Sequence, residues 1–257
     1  MGRTIFFIFL TIIIAFVMVP NMLLVNNYNE KVMVKNNLNL ASRVLISSID
    51  KRPIKMGELG QGYEKEVSYD IHIHRDRLLN QFYDILYKNL LDKLLYEETK
   101  KNIKAKIIVY NDRFYICDTL ERWSAPYYFI HKYGNSPLYL NTKTNIAYYY
   151  DDTGIKIYDD IYGLGLNSEK KKEIIITKLN NEIAKYTSNE FKESIGIKIY
   201  NPHKADGKYK AENSYFNVLD GLTFFVVYVE RDIVNVFDNE IKGLNYQVAG
   251  YTLEDYR

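Results

Sequence analysis

The segment that most constrains this chain stands at its start, where "RTIFFIFLTIIIAFVMVPNMLLV", Arg3 to Val25, carries no charge from Thr4 onward. At about 1.5 Å per helical residue, a run of this length reaches the ~30 Å of a hydrocarbon layer, so a transmembrane helix is expected. Arg3 and the amino terminus precede the run, while Lys31 and Lys35 lie beyond Asn26 and Asn27 and are offset by Glu30. The positive-inside rule then expects a cytoplasmic N-terminus and an extracytoplasmic body, in a single-pass protein of the cell membrane. The flank Met18 to Met22 offers no small-residue cleavage site, so an uncleaved signal-anchor is expected, kinked by Pro20 near its outer end.

The apolar pattern continues past the run. Val25, Tyr28, Val32, Leu38, Ala41, Val44 or Leu45, and Ser48 or Ile49 recur at steps of three and four, with Asn27, Glu30, Lys31, Asn37 and Arg43 between them. One helix is therefore expected from about Thr4 to about Asp50, ended by Pro53 and Gly57, with its stripe interrupted near Lys35 and Asn36. Tyr28, Val32, Leu38, Ala41, Val44, Leu45 and Ile49 form its expected packing face. This divides the chain into a transmembrane and juxtamembrane helix, 1–50, and an exported α+β domain, 55–257.

A short basic tip, a uniformly apolar half and a striped half that includes "NNLNLASRVLISSID" resemble the N-terminal architecture of pilin-like membrane-anchored proteins, especially tight-adherence (Tad) minor pilins and pseudopilins. The resemblance covers Met1 to about Asp50. It implies a structural or assembly subunit of a cell-surface or secretion apparatus rather than an enzyme. Its implied partners are the membrane and other subunits met through the N-terminal helix, in a homo- or hetero-oligomer. The chain departs from the type IV pilin pattern in that Gly2 is followed by Arg3 and no Glu precedes Glu30, so leader processing and a Glu-set register do not carry over.

The remaining residues can build a real core. Lys and Arg number 34 against 32 Asp and Glu, which leaves no long basic face for nucleic acid. The 25 tyrosines accompany many Asn, Lys and Ile, a bias that an AT-rich genome explains. Cys117 is the one cysteine, so no intramolecular disulfide or closed cysteine zinc site can form. An exported chain of this kind suits a low-GC Gram-positive bacterium, which does not rely on oxidative folding.

Strict alternation from Val67 to His74 predicts a half-buried strand, followed by an amphipathic helix marked by Leu78, Leu79, Phe82, Ile85, Leu86, Leu90 and Leu94. Two apolar runs about Asn111 and Asp112 predict a hairpin, and further strands are expected at 126–132, 136–141 and across "TNIAYYYDDTGIKIYD". A second helix should start at Asn167 or Ser168, with Ile175, Ile176, Leu179 and Ile183 inward. Strands follow at 195–200, 222–229 and 246–253, and "LTFFVVYVE" reads as the central one. The fold class expected is α+β: a long N-terminal transmembrane and amphipathic helix, then a mostly antiparallel sheet with two packed helices.

No catalytic, cofactor-binding or metal residue can be assigned. His72 and His74 could share a metal with Asp70, His131 or His203, although a solvated strand face is simpler. Asp118 and Glu121 could be a carboxylate pair for sugar chemistry, while Asp151, Asp152, Asp159 and Asp160 could meet about calcium or simply serve turns. Cys117 reads as a small core residue. "ERWSAPYYF" holds the only Trp, so Trp123, Tyr127 and Tyr128 form the candidate contact loop. The rival functions are a tethered ectodomain that binds a glycan or peptide and, third, an extracytoplasmic hydrolase.

Overall fold

The computed structural model describes residues 2–49, 53–54, 62–64, 70–134, 136–186, 218–219, 221–236 and 239–253; the side chains of 53–72, of 230–247 and of most residues before Tyr28 lie outside the description. The expected strand 195–200, residues 67–69 of the expected strand 67–74, and His203 also lie outside it.

Helix α1 (Gly2–Ser47) is followed by strands β1 (Pro53–Ile54), β2 (Gly62–Glu64) and β3 (Asp70–His72). Helices α2 (Arg75–Leu90) and α3 (Lys93–Asn102) lead into β4 (Ile103–Tyr110) and β5 (Arg113–Cys117). Then come β6 (Tyr127–Tyr128), β7 (Ile130–Tyr133), β8 (Ser136–Leu140), β9 (Ile146–Tyr150) and β10 (Lys156–Asp160). Helix α4 (Ser168–Tyr186) and the hairpin of β11 (Leu222–Val236) and β12 (Asn239–Leu253) complete the order.

Among the described residues no helix is long and apolar enough to cross a membrane, which corrects the transmembrane and signal-anchor expectation and, with it, the expected fold class. The part of α1 whose side chains are described without a break, from Tyr28, has no such character either. There Val32 and Met33 are interspersed with Asn29, Glu30, Lys31, Lys35 and Asn36. A hydrocarbon layer demands apolar character all round, and charges at this density are costly inside it.

The remaining architecture is α+β with antiparallel main sheets, and among the described residues there are four helices rather than an N-terminal helix plus two. The helix expected from Arg75 onward is broken where Leu91 turns left-handed, with φ 57°. Asp92 then caps α3 by accepting from the N–H groups of Leu94 at 2.8 Å and Leu95 at 3.1 Å.

Five strands form the main sheet in the order β12-β11-β4-β5-β6. β11 lies between β12 and β4, antiparallel to both. Its alternation explains the nearly continuous apolar sequence, because both faces are covered. Phe224, Val226 and Tyr228 join Ile108 in a core with Leu38, Ala41, Leu45 and Ile46 of α1 and Leu78, Phe82 and Leu86 of α2. Phe225 and Val227 join Ile107 and Val109 in the opposite core. That second core contains Ile175, Leu179 and Ile183 of α4, and Leu138, Leu140 and Ala147 of a four-stranded antiparallel sheet ordered β10-β9-β8-β7. The result is three layers about one central sheet. A small sheet ordered β1-β2-β3 pairs β1 and β2 in parallel.

Two buried lysines are satisfied by backbone. Lys106 on β4 donates from Nζ to the Asp118 carbonyl at 2.7 Å. Lys171 on α4 donates to the Thr144 carbonyl at 2.8 Å, tying α4 to the turn between β8 and β9. At its start Asn167 Oδ1 accepts from the Lys170 N–H at 2.8 Å, the helix cap expected there.

Candidate functional site

The expected packing face of α1 divides into two faces. Leu38, Ala41, Leu45 and Ile49 are buried in the protein's own core, against α2 and the main sheet. Tyr28, Val32 and Val44 instead face outward, Tyr28 at 66% exposure and Val44 at 43%. Met33 and Leu40 are exposed beside them, and Met18, Met22 and Val25 extend the exposed apolar positions toward the N-terminus. The i, i+4 pair Leu40–Val44 and the seven-residue step from Met33 to Leu40 carried this second face in the sequence. Sequence reading merged the two faces because the helix is apolar on two sides, so three- and four-residue steps find a path through either.

A second feature is a cleft of about 710 Å³ lined by Ile73, His74, Arg75, Asp76, Arg77, Glu121, Arg122 and Trp123. Its outer wall is built by the turn after β5. Asp118 Oδ1 accepts from the N–H groups of Leu120 at 2.8 Å and Arg122 at 2.9 Å, while Oδ2 accepts from Arg122 Nε at 3.1 Å and Nη2 at 2.9 Å. Burial alone would raise the Asp118 carboxyl; the bonds from Arg122 and Leu120 outweigh it and hold the group below its usual range. Glu121 adopts φ 61° and pairs with Lys100 at 2.9 Å. Trp123 bridges to Cys117, which places its ring between the first core and the cleft.

The other wall is the start of α2. His74 stands at the N-cap position, but its side chain does not cap the helix. The Arg75 guanidinium lies 4.0 Å from the Tyr115 ring centroid, a cation–π contact. Two arginines in the sequence "HRDR" were the signal for this wall, and the expectation of a plain core-facing helix passed over them.

The structure thus separates the residues of the expected contact loop. Trp123 lines the cleft, whereas Tyr127 and Tyr128 pair with β5 at the sheet edge. The Tyr127 ring stacks on Phe114 at 5.2 Å and its hydroxyl meets that of Tyr186 at 2.9 Å; Arg113 lies 5.2 Å over Tyr128.

The remaining candidates have local roles. Asp118 and Glu121 are each matched to a cation, Arg122 and Lys100, rather than converging on one point. Asp151 Oδ1 closes a turn by accepting from the Thr153 N–H at 2.9 Å and the Ile155 N–H at 2.8 Å. Asp159 and Asp160 accept from the N–H groups of Asp160 and Tyr162, both at 2.8 Å. Among the described residues no group of three or more His, Cys, Asp or Glu side chains is placed to hold a metal. Burial pushes the Cys117 thiol up to about 11, against the pull of Lys106, which leaves it a poor nucleophile.

No protein-family model, curated protein or solved structure matches this chain.

Proposed function

We propose that the chain is a structural or assembly subunit that packs against neighbouring subunits through the outer face of α1. The observation that carries this reading is the division of α1 into two apolar faces. The inner one is consumed by the chain's own core, while the outer one presents Leu40 and Val44, each 43% exposed, together with Met33 and Tyr28. Burying a side chain of this size contributes about 1.5–3 kcal/mol, so a helix that leaves several of them in line on its free face has an energetic reason to associate. This use of an N-terminal helix is also what the resemblance to minor pilins implies.

The test compares the full-length chain with a Leu40→Asp, Val44→Asp variant by sedimentation velocity and co-purification with partners. Association should be lost while the circular dichroism spectrum and thermal midpoint of the body are kept. A variant that associates at wild-type strength would overturn the reading.

A further inference from the structure

We infer that the cleft between the start of α2 and the Asp118–Trp123 turn binds an oxyanion, a phosphate or carboxylate group held by Arg75, Arg77 and Arg122 beside Trp123. The inference concerns a different surface from the outer face of α1 and does not rest on the assembly reading.

The cleft is the carrying observation: it brings three arginines from two separate segments to one opening of about 710 Å³. Of the carboxylates that line it, Glu121 is engaged by Lys100 at 2.9 Å, leaving Asp76 beside Arg75 and Arg77. Among the described residues neither Arg75 nor Arg77 has a carboxylate partner at ion-pair distance. Arg75 is nonetheless half-buried and fixed in orientation by the Tyr115 ring 4.0 Å away. Arg122 gives Nε and Nη2 to one oxygen of Asp118, and its planar fork has further donors to offer.

The start of α2 adds backbone donors to the arginines. The positive end of a helix favours acidic residues and a Ser, Thr, Asp or Asn cap. α2 has Asp76 as the acidic residue of its first turn but no side-chain cap from His74, and its first intrahelical bond runs from the Leu78 N–H to the His74 carbonyl at 2.9 Å. Among the described residues no backbone carbonyl accepts from the N–H groups of Arg75, Asp76 and Arg77, the ordinary state of a first helical turn. Fork-shaped guanidinium donors and helix-start N–H groups are the donor set that oxyanions take. The volume, with Ile73 and Trp123 on its wall, fits an oxyanion carried on a larger molecule better than a bare ion.

The test titrates full-length protein with sodium phosphate, and separately with sodium acetate, at constant ionic strength by isothermal titration calorimetry. Saturable phosphate binding is expected, weakened at least about tenfold in Arg77→Gln and in Arg75→Gln and unchanged in Lys132→Gln on β7. Acetate that binds as tightly as phosphate supports the site and identifies a carboxylate as the natural group; acetate that does not compete identifies a phosphate. Should Arg75→Gln fail to fold for want of its Tyr115 contact, the exposed Arg77 decides the matter. Absence of saturable heat with either anion, or equal weakening in Lys132→Gln, overturns the inference.

Discussion

The side-chain carbonyl of Asn39 on α1 accepts a hydrogen bond from the backbone N–H of Gly250 on β12 at 2.9 Å, joining residues 211 positions apart. Among the described strands β12 is outermost in the main sheet, and an outermost strand presents N–H groups that a neighbour in the sheet does not satisfy. Asn39 closes one of them from the helix that covers the edge. Replacing it with Leu keeps the branching at Cγ and leaves the Gly250 N–H buried without an acceptor, at a cost of about 1–3 kcal/mol. Gly250→Ala should cost at least as much, because a Cβ there would lie 2.3 Å from Phe225 Cβ and 2.7 Å from the Phe224 carbonyl oxygen. Urea denaturation midpoints check both, and a Gly250→Ala variant as stable as wild type would show that the strands do not approach this closely.

Asp112 joins the β4–β5 turn to the second sheet. It accepts from Arg113 Nε at 2.8 Å and from the Tyr148 hydroxyl, and it is almost wholly buried. Tyr148→Phe removes one bond to a charged acceptor and should destabilise by about 1.5–3 kcal/mol, while Asp112→Ala should cost more, because it removes the acceptor of both bonds at once. Burial and the Asp112 carboxylate raise the Tyr148 hydroxyl far above its ordinary 10.0. An unfolded tyrosine ionises near pH 10 and the folded one does not, so stability is intact below that pH and falls above it. Tyrosinate absorbance that rises only as the circular dichroism signal is lost would confirm the sign.

Lys171 gives a second pH dependence, of opposite direction. Burial lowers its ammonium from 10.5 to about 8, and its partners are carbonyl oxygens of Thr142 and Thr144 with the Asn145 side chain, none of them a charge. Between pH 8 and 10.5 the unfolded chain holds one proton more than the folded one, so this group's contribution to stability rises with pH across that window, by about 1.4 kcal/mol per unit. The difference in unfolding free energy between wild type and Lys171→Met isolates it from Cys117 and the tyrosines. A difference that stays flat from pH 8 to 10 would mean the lysine remains charged when folded.

Much of the fold was legible where local chemistry and burial agree. The nearly continuous apolar run "LTFFVVYVE" marked a strand covered on both faces, Asn111 and Asp112 marked a hairpin, and Asn167 or Ser168 marked a helix start. The break at Leu91 was hidden because the apolar steps continue through Leu94, and only the Asp92 cap betrays it. The cleft at Trp123 was hidden for another reason. Its two walls are segments 73–77 and 121–123, brought together by the fold, and no periodicity in either one records the other.

The two faces of α1 make the sharpest prediction, because Ala41 and Val44 are neighbours in sequence and were expected to act alike. Ala41 is fully buried in the core it shares with Leu78 and Phe82 of α2, whereas Val44 is 43% exposed. Ala41→Asp places an unpaired carboxylate among apolar side chains, and the group must either stay charged at a large desolvation cost or take up a proton. Its effect should be loss of the folded body, at least about 3 kcal/mol, and it therefore says nothing about association. Val44→Asp gives up only partial burial and should change stability by about 0.5 kcal/mol or less. Its effect, if α1 packs with neighbours through its outer face, should appear in the sedimentation coefficient alone. Measuring thermal midpoint and sedimentation for both variants separates the two faces, and a Val44→Asp variant that unfolds as Ala41→Asp does would show that the outer face is also part of the core.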